Sequence, residues 1–332
     1  MEEIFIKKVV PKQITKIVKK TTPTLEERGI TPKDVMQTAQ KADDDEFYTR
    51  YEDIEKEIEM YDKRIWKDKV VFCNCDDAVG NDERNTSAFA LYFLRNFDKL
   101  KLKMLICTHY GDGLDIFHQG GKGYVFTRDG FSDIEDYEKL KVYPNKYTGS
   151  FDDPLSLKIL NEEADIVCTN PPFSKAREYW KILIESKKKF LIISNFTNVK
   201  NQPYISYFRQ GKVRPGYNRV DWFLTPKRQI TDAPGHWYTN FLVKNRPKYK
   251  LLNIIPLKKI PEKYKIYDDS KTLIVNNNYI PSDYNKPFGV SVYPIVSGIL
   301  EKVYKIVKEK QYRPYINDRE VFARVLIQKI EN

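Results

Sequence analysis

The chain has 332 residues, 41% of them hydrophobic and 14% aromatic, which is enough for one large domain with a buried core and a smaller appendage. It contains no apolar run of about 18 residues, and its N-terminus lacks a long apolar segment, so neither a transmembrane helix nor a secretory signal is expected. The four cysteines, Cys73, Cys75, Cys107 and Cys168, fall in apolar, strand-like runs with no histidine pattern beside them. They predict reduced core thiols in a cytoplasmic protein that has no metal site and no membrane contact.

The net charge of +11 is concentrated in the second half of the chain. Residues 246–332 carry 17 Lys and Arg against 9 Asp and Glu, and residues 196–230 carry seven Lys and Arg against Asp221 alone. This distribution indicates a polyanionic partner, and we expect nucleic acid, although a solvated lysine-rich face would give the same counts. The residues of the second segment that we expect to contact a nucleic-acid backbone are Lys200, Arg209, Lys212, Arg214 and Arg219.

Hydrophobic patterning in the first half of the chain predicts strands that alternate with helices. Residues 1–44 form a basic, weakly patterned arm, and an aromatic loop that begins at residue 46 leads into a helix extending to residue 58. Further along, the pattern predicts strands at 69–75 and 104–107, helices at 87–94 and 154–161, and an inserted hairpin within 111–148.

The alternation continues through a strand at 164–169, a helix at 174–184 and strands at 189–194 and 237–243. It predicts an α/β fold with a mostly parallel sheet and helices on both faces. Residues 45–245 are therefore expected to form the main domain, with 196–230 as its basic segment, and residues 246–332 a smaller α+β recognition region. For that region we predict strands at 251–257 and 271–275, an amphipathic helix at 296–310, and a hairpin at 315–322 that closes with 323–330.

The most informative feature is the sequence Asn170-Pro171-Pro172-Phe173, between a predicted buried strand and a predicted helix. Each proline has a fixed φ and no backbone N–H, so the loop is stiff and its carbonyls have few local donors. The Asn170 side-chain oxygen and the Pro171 carbonyl can then accept both hydrogens of one exocyclic amine, while Phe173 stacks on the attached ring. Two acceptors localise the lone pair of the amine, so the loop is suited to hold a nucleobase amine while it attacks a methyl donor.

The same four residues also occur in ordinary surface turns, and the flanking strand and helix are what favour the catalytic interpretation. The chemistry needs no metal and no covalent enzyme intermediate if the donor is a sulfonium such as S-adenosylmethionine.

Three other segments are candidates for binding such a donor. The loop Asn74-Cys75-Asp76 follows the first strand, although it lacks the usual glycine-rich turn. Asp152 or Asp153 offers a carboxylate to the adenosine, with helix capping as the alternative role of either residue. The sequence Phe47-Tyr48-Thr49 is the candidate contact for the amino-acid end of the donor.

Taken together, residues 45–49, 53–55, 71–77, 164–174 and 237–240 resemble the EcoRI-type adenine-specific DNA methyltransferase family. The most specific element is Asn74-Cys75-Asp76-Asp77, because general amino-methyltransferases have glycines there. The resemblance implies a Rossmann-like fold, S-adenosylmethionine as the methyl donor, and methylation of a flipped adenine in double-stranded DNA. It also implies a restriction-modification or phage-protective role, in which a cognate restriction endonuclease would act on the same site.

The resemblance assigns roles residue by residue. The catalytic loop is Asn170, Pro171, Pro172 and Phe173, and the donor contacts are Phe47, Tyr48, Thr49, Asn74, Cys75, Asp76 and Asp152. Trp237 and Tyr238 match the aromatic strand that walls the base pocket in the family, with core packing as their alternative role. The second strand departs from the wider superfamily, because no carboxylate for the ribose follows it before Asp112.

Other functions share this loop chemistry and stay open at the level of sequence. They are methylation of adenine in RNA, of the 4-amino group of cytosine in DNA, and of glutamine in proteins. A non-catalytic nucleic-acid-binding module would explain the charge without binding a methyl donor. Whichever of these functions the protein has, we expect it to be a monomer.

Overall fold

The structure is a computed structural model that describes residues 48–78, 87–112, 120–133, 147–195, 201–224, 230–231, 235–244, 252–276, 278–296, 303–308 and 311–330. The predicted basic arm at 1–44, Phe47 and Lys200 lie outside the described residues. The chain divides into two compact units. The first holds the described residues of Met1–Ser194 with Asn218–Trp237, and the second those of Asn195–Tyr217 with Tyr238–Asn332. The domain boundary at residue 245 stays a prediction.

Up to residue 195, each predicted strand and helix that falls among the described residues is confirmed. The elements are α1 (Tyr51–Ile58), a 3-10 turn (Lys63–Ile65), β1 (Val70–Cys73), α2 (Ala88–Arg95), α3 (Phe97–Leu100), β2 (Met104–Asp112), β3 (Gly120–Thr127), β4 (Gly130–Asp133), α4 (Pro154–Lys158) with a π-helical continuation (Ile159–Glu163), β5 (Ile166–Thr169), α5 (Ala176–Ser186) and β6 (Lys189–Asn195).

The following segment contains α6 (Tyr204–Arg209), β7 (Arg214–Val220), β8 (Phe223–Leu224), β9 (Ile230–Thr231) and β10 (Gly235–Thr239). Strand β10 therefore ends four residues before the end predicted from the sequence. The C-terminal elements are β11 (Asn253–Ile255), two 3-10 turns (Leu257–Lys259 and Glu262–Tyr264), β12 (Lys265–Tyr267), β13 (Leu273–Val275), β14 (Tyr279–Pro281), β15 (Phe288–Val290), α7 (Tyr293–Val296), β16 (Tyr304–Ile306), β17 (Tyr315–Ile316), β18 (Arg319–Glu320) and β19 (Val325–Lys329).

The largest sheet has eight strands in the order β4-β3-β2-β1-β5-β6-β10-β7. Its strands β2, β1, β5 and β6 pair in parallel, which confirms the predicted parallel core. The inserted hairpin is confirmed as β3 and β4, but these strands extend the sheet antiparallel to β2, so the sheet is mixed. Arg128 and Asp129 form the two-residue turn, and Gly130 has a φ of 142° that favours glycine.

Strands β1 and β5 are buried along their whole length. A strand covered on both faces is expected to be continuously apolar, as the sequences Val-Val-Phe-Cys and Ile-Val-Cys-Thr nearly are. Burial raises the pKa of the Cys73 and Cys168 thiols, so these groups remain protonated in the core. The strand predicted at 69–75 is shorter in the structure. Cys75 lies half-buried in the turn after β1 and not within the strand.

The C-terminal region contains a five-stranded sheet in the order β12-β13-β15-β19-β16 and a parallel pair of β11 with β14. The strands predicted at 251–257 and 271–275 are confirmed by β11 and β13. The hairpin predicted at 315–322 is confirmed by β17 and β18, whose turn residues Asn317 and Asp318 both have positive φ.

The amphipathic helix predicted at 296–310 is wrong where the chain is described beyond α7. Residues 304–306 form β16, which pairs antiparallel with β19. The side chains of Tyr304 and Ile306 are buried and that of Lys305 is exposed, as the period of a strand requires. Apolar residues at 303, 306 and 307 also fit a helical period, so the local pattern does not distinguish a helix from a strand here. Pairing with the distant strand β19 is what makes this segment a strand. None of the described helices is long and apolar enough to cross a membrane.

We predict that Glu57→Leu destabilises the first unit. The fully buried carboxylate of Glu57 accepts hydrogen bonds from the Tyr61 hydroxyl (2.9 Å) and from the backbone and side-chain nitrogens of Asn218 (both 2.8 Å). Each buried donor left without an acceptor costs about 1–3 kcal/mol, so the free energy of unfolding should fall by at least that amount in urea titrations. Glu52→Gln, on the exposed face of the same helix, should leave it within about 0.5 kcal/mol. Equal stability of the two variants would contradict the buried role of Glu57.

Candidate active site

The candidate site is built from the loops that follow β1 and β5. These strands are neighbours and run parallel, so their carboxyl ends lie at the same edge of the sheet. The loop after β1 begins with Asn74-Cys75-Asp76, and the loop after β5 is Asn170-Pro171-Pro172-Phe173. The fold therefore brings the predicted donor loop and the predicted catalytic loop to one edge.

Asp76 joins three segments of this edge. The residue is 5% exposed, and its backbone N–H donates to the Thr108 carbonyl in β2 at 2.8 Å. The hydroxyl of Thr169, the last residue of β5, donates to Asp76 Oδ2 at 2.5 Å. The Ser87 hydroxyl donates to Asp76 Oδ1 and also accepts from the Phe89 backbone N–H as the cap of α2. Thr169 immediately precedes Asn170, so the Asp76 carboxylate fixes the start of the predicted catalytic loop.

A second buried hydrogen bond links the end of the same loop to the donor loop. The Tyr179 hydroxyl in α5 donates to Asn74 Oδ1 at 2.7 Å. Burial raises the pKa of Tyr179 well above its ordinary value, so the hydroxyl keeps its proton and acts as a donor. The Tyr179 ring also packs edge-on against Phe151, with ring centroids 5.1 Å apart. Helix α5, which follows the predicted catalytic loop, therefore has a fixed position relative to Asn74.

The four motif residues differ in their exposure. Pro171 and Phe173 are buried, whereas Asn170 and Pro172 are half-buried. Asn170 Oδ1 is shielded from solvent, so an amine that reaches it enters a surrounding of low dielectric, where its hydrogen bonds are stronger. The Phe173 ring packs edge-on against Phe223 in β8 at a centroid distance of 5.7 Å. Phe223 is fully buried, and it supports the aromatic end of the motif.

The segment predicted to contact the amino-acid end of the donor is tied to the same strand as Phe223. Tyr48 forms two backbone hydrogen bonds with Leu224, of 2.8 and 3.0 Å. Thr49 is 7% exposed, and its hydroxyl oxygen has no hydrogen-bond partner among the residues that the structure describes. A buried hydroxyl of this kind fits a position that a polar ligand group completes. Sequence reasoning missed Phe223 and Leu224, which lie in a short strand without a motif.

Arg50 fixes the start of α1 beside this segment. Its guanidinium makes two hydrogen bonds to the Asp53 carboxylate, at 2.8 and 2.7 Å, and lies 3.9 Å from the centre of the Trp222 ring. Arg50 and Trp222, which flank the Tyr48–Leu224 pair in the two chain segments, are thus joined by a cation–π contact, and Arg50 is also paired with Asp53.

The two aspartates near 150 have different roles. Asp153 caps α4 by accepting from the Leu155 backbone N–H at 2.9 Å, which confirms the capping alternative for this residue. Asp152 is exposed and accepts from the Ser150 hydroxyl. The preceding segment lies along the end of β2, where Gly111 N–H donates to the Thr148 carbonyl at 3.0 Å. The segment that carries Asp152 therefore lies near the end of β2, whose last residue is Asp112.

Trp237 and Tyr238 in β10 are fully buried. Trp237 packs edge-on against Phe89 at 5.7 Å, and Tyr238 packs edge-on against Phe208 at 5.7 Å. Successive side chains of a strand point to opposite faces, so one pocket cannot be walled by both rings from the same face. Their role in a base pocket stays a prediction, and core packing accounts for both positions.

The basic side chains that are predicted to contact a nucleic-acid backbone differ in their exposure and contacts. Arg209 and Lys212 are exposed. Arg214 is half-buried and donates to the Phe241 carbonyl at 3.2 Å, and Arg219 lies 3.4 Å from the Asp221 carboxylate. Contacts of these residues with nucleic acid stay predictions. No group of three or more His, Cys, Asp or Glu side chains suited to a metal ion occurs in the described ranges.

A mixed α/β sheet whose central parallel strands end in two such linked loops is compatible with a methyltransferase fold. The family model of the adenine-specific methyltransferase EcoRI matches residues 35–308 of the chain. The chain belongs to this family. The resemblance inferred from the sequence and the predicted enzyme class, an adenine-specific DNA methyltransferase, are both confirmed.

Two curated relatives cover most of the chain. The Type II methyltransferase M.EcoRI of Escherichia coli is 32% identical over 287 residues, which are 78% of this chain and 84% of the relative. The Type II methyltransferase M.MgeORF184P of Mycoplasma genitalium is 31% identical over 275 residues, which are 76% of this chain and 79% of the relative. No solved structure gave a significant match to the chain.

We predict that Thr169→Val loosens the link between the two loops. The change removes the hydroxyl that donates to Asp76 and keeps a branched side chain of similar shape, so the free energy of unfolding should fall by about 1–3 kcal/mol. Urea denaturation measures this loss, and Thr169→Ser, which keeps the hydroxyl, serves as the matched control. A valine variant that is as stable as the wild-type protein would show that the Asp76–Thr169 hydrogen bond does not hold the loops.

Proposed function

We propose that the chain is a site-specific DNA methyltransferase that transfers a methyl group from S-adenosylmethionine to the 6-amino group of a flipped adenine. The observation that carries this proposal is the joining of the Asn170-Pro171-Pro172-Phe173 loop to the loop after β1 through Thr169–Asp76 and Tyr179–Asn74. A donor held by one loop and an amine held by the other would meet at one sheet edge. This arrangement is what a Rossmann-like methyltransferase fold requires.

The donor-binding residues that we propose lie around the loop after β1. The Thr49 hydroxyl, with its neighbours Phe47 and Tyr48, would bind the amino-acid end of the donor. Asn74, Cys75 and Asp76 would line its path, with the Asp76 carboxylate acting mainly to fix the loop because both of its oxygens already accept hydrogen bonds. Asp152 is the proposed adenosine contact. S-adenosylmethionine supplies an electrophilic methyl group and needs no activation by a metal.

The catalytic loop would act on the amine rather than on the donor. Asn170 Oδ1 and the Pro171 carbonyl would accept the two amine hydrogens and direct the nitrogen lone pair toward the methyl group. Phe173, supported by Phe223, would set the plane of the adenine. No strong base is required, because the methylated amine is acidic enough to lose its proton readily. Trp237 or Tyr238 remains the proposed opposite wall of the base pocket.

The basic part of the chain would bind DNA largely through phosphates. Lys200, Arg209, Lys212, Arg214 and Arg219 are the proposed backbone contacts, and residues 246–332 the proposed target-recognition region beside a catalytic domain at 45–245 with its arm at 1–44. Flipping the adenine costs a few kcal/mol of stacking and pairing, which these contacts would offset.

The proposed setting is a restriction-modification system. The enzyme would act as a cytoplasmic monomer and protect the site that a cognate restriction endonuclease cuts. M.EcoRI and M.MgeORF184P, both named Type II methyltransferases, support this setting.

We predict that Asn170→Ala abolishes methyl transfer while binding of the donor and of DNA persists. Loss of one preorganised acceptor at the reacting atom lowers turnover by about 10²–10³-fold or more. Transfer of tritium from labelled S-adenosylmethionine to duplex DNA measures turnover, and calorimetry measures binding of the donor. Asn161→Ala, at an exposed position in the π-helical continuation of α4, is the control and should keep full activity. Turnover of the Asn170 variant close to that of the control would contradict the catalytic role.

We also predict which of the competing substrates is labelled. Tritium should appear in duplex DNA and not in RNA or protein, and nucleoside analysis of the DNA should find N6-methyladenine. Labelled RNA would contradict the DNA substrate and indicate an RNA methyltransferase. N4-methylcytosine in the DNA would indicate that cytosine, and not adenine, is methylated. Absence of donor binding in calorimetry would favour a non-catalytic nucleic-acid-binding module.

A further inference from the structure

A basic cleft lies within the second unit, and none of its lining residues belongs to the Asn-Pro-Pro-Phe or Asn-Cys-Asp-Asp motif. It has a volume of about 260 Å³, and three cationic side chains border it, those of Arg209, Arg214 and Lys305. Its floor is apolar and includes Val213 and Ile306. None of the ten residues that line it in the described part of the chain is acidic. Three like charges around one small cleft repel one another, and a bound anion relieves that repulsion.

The three cations come from separate elements. Arg209 ends α6, Arg214 begins β7, and Lys305 is the central residue of β16, some 90 positions further along the chain. The exposed side chain of Lys305 is directed outward by its buried neighbours in β16, which is the last strand of its sheet. Gly211, in the turn between α6 and β7, has a φ of 66° and open space where a Cβ would lie. The cleft is therefore open at Gly211, which carries no side chain.

The dimensions and the aromatic residues of the cleft limit what it can bind. Pockets for drug-sized ligands begin at about 300 Å³, so this cleft is too small for a nucleotide with its base. Its two aromatic side chains are already packed, because Phe208 lies edge-on to Tyr238 and the Tyr304 hydroxyl donates to the Pro281 carbonyl at 3.0 Å. The Tyr304 ring is also buried, so it offers no face on which a base could stack. Cations above an apolar floor fit a phosphate with its adjoining sugar.

We propose that this cleft binds one phosphodiester of duplex DNA, with Lys305 as a backbone contact that joins Arg209 and Arg214. The inference rests on the proposed DNA substrate and adds a site to it. The cations would neutralise the phosphate, and the deoxyribose would lie against the apolar floor. A contact of this kind carries no sequence information and strengthens binding to every duplex alike.

The test compares Lys305→Gln with Lys103→Gln, using full-length protein and fluorescent duplexes with and without the methylation site. Lys103 is exposed in the first unit, directly before β2, and belongs to none of the proposed DNA-binding segments, so both variants lose one charge. We expect Lys305→Gln to weaken binding to both duplexes about five- to tenfold at 0.1 M salt and to reduce the slope of log K against log salt by about 0.9. Lys103→Gln should leave the slope unchanged, and Lys305→Arg should keep the wild-type slope.

The outcomes separate the cleft from the proposed function. If the wild-type protein binds duplex DNA in neither form, the proposed function fails. If it binds DNA and the two glutamine variants behave alike, the cleft proposal is overturned while the function stands. A loss confined to the duplex with the methylation site would indicate base reading and would also overturn the proposal. Equal urea midpoints for the variants exclude misfolding, and Arg209→Gln should repeat the reduced slope.

Discussion

The hydrogen bonds of the Asp76 carboxylate are the constraint on which the candidate site depends. Asp76 is almost wholly buried, yet its two oxygens accept hydroxyl hydrogens from Ser87 and Thr169, and its backbone N–H is satisfied by Thr108. A buried carboxylate is costly unless it is hydrogen-bonded, so this group specifies one arrangement of three chain segments. One of them ends at the residue before Asn170. The loop that we assign to the donor and the loop that we assign to the amine are thereby held in a fixed position relative to each other.

Such a constraint matters because methyl transfer is controlled by position. A displacement of about 1 Å at the reacting atoms can cost about 100-fold in rate, whereas a hydrogen bond to a charged group contributes about 1.5–3 kcal/mol. The bond between Tyr179 and Asn74 adds a neutral link of about 0.5–1.5 kcal/mol on the other side of the catalytic loop. The prolines at 171 and 172 stiffen the loop between these two anchors. Phe223 completes the arrangement by supporting Phe173.

Local sequence was sufficient for the elements whose signals are local. The apolar runs of β1 and β5, the helix at 87–94 and the Asn-Pro-Pro-Phe loop were all predictable, because each depends on burial, periodicity or φ restriction within a few residues. Contacts between distant residues were not predictable. Thr169 meets Asp76 across 93 positions, Phe223 supports Phe173 from a strand without a motif, and β16 forms where a helical period was present because β19 pairs with it. The candidate catalytic residues could therefore be predicted from sequence motifs, and the side chains that position them could not.

The most direct test of the joined loops is a crystal structure of the protein with S-adenosylmethionine. The account predicts that the donor contacts the Thr49 hydroxyl and the loop that begins at Asn74. Its methyl carbon should face the catalytic loop, so that a nitrogen hydrogen-bonded to Asn170 Oδ1 would lie about 3–3.5 Å from it. A donor bound away from both loops, or with its methyl carbon beyond the reach of any amine held by Asn170, would contradict the account.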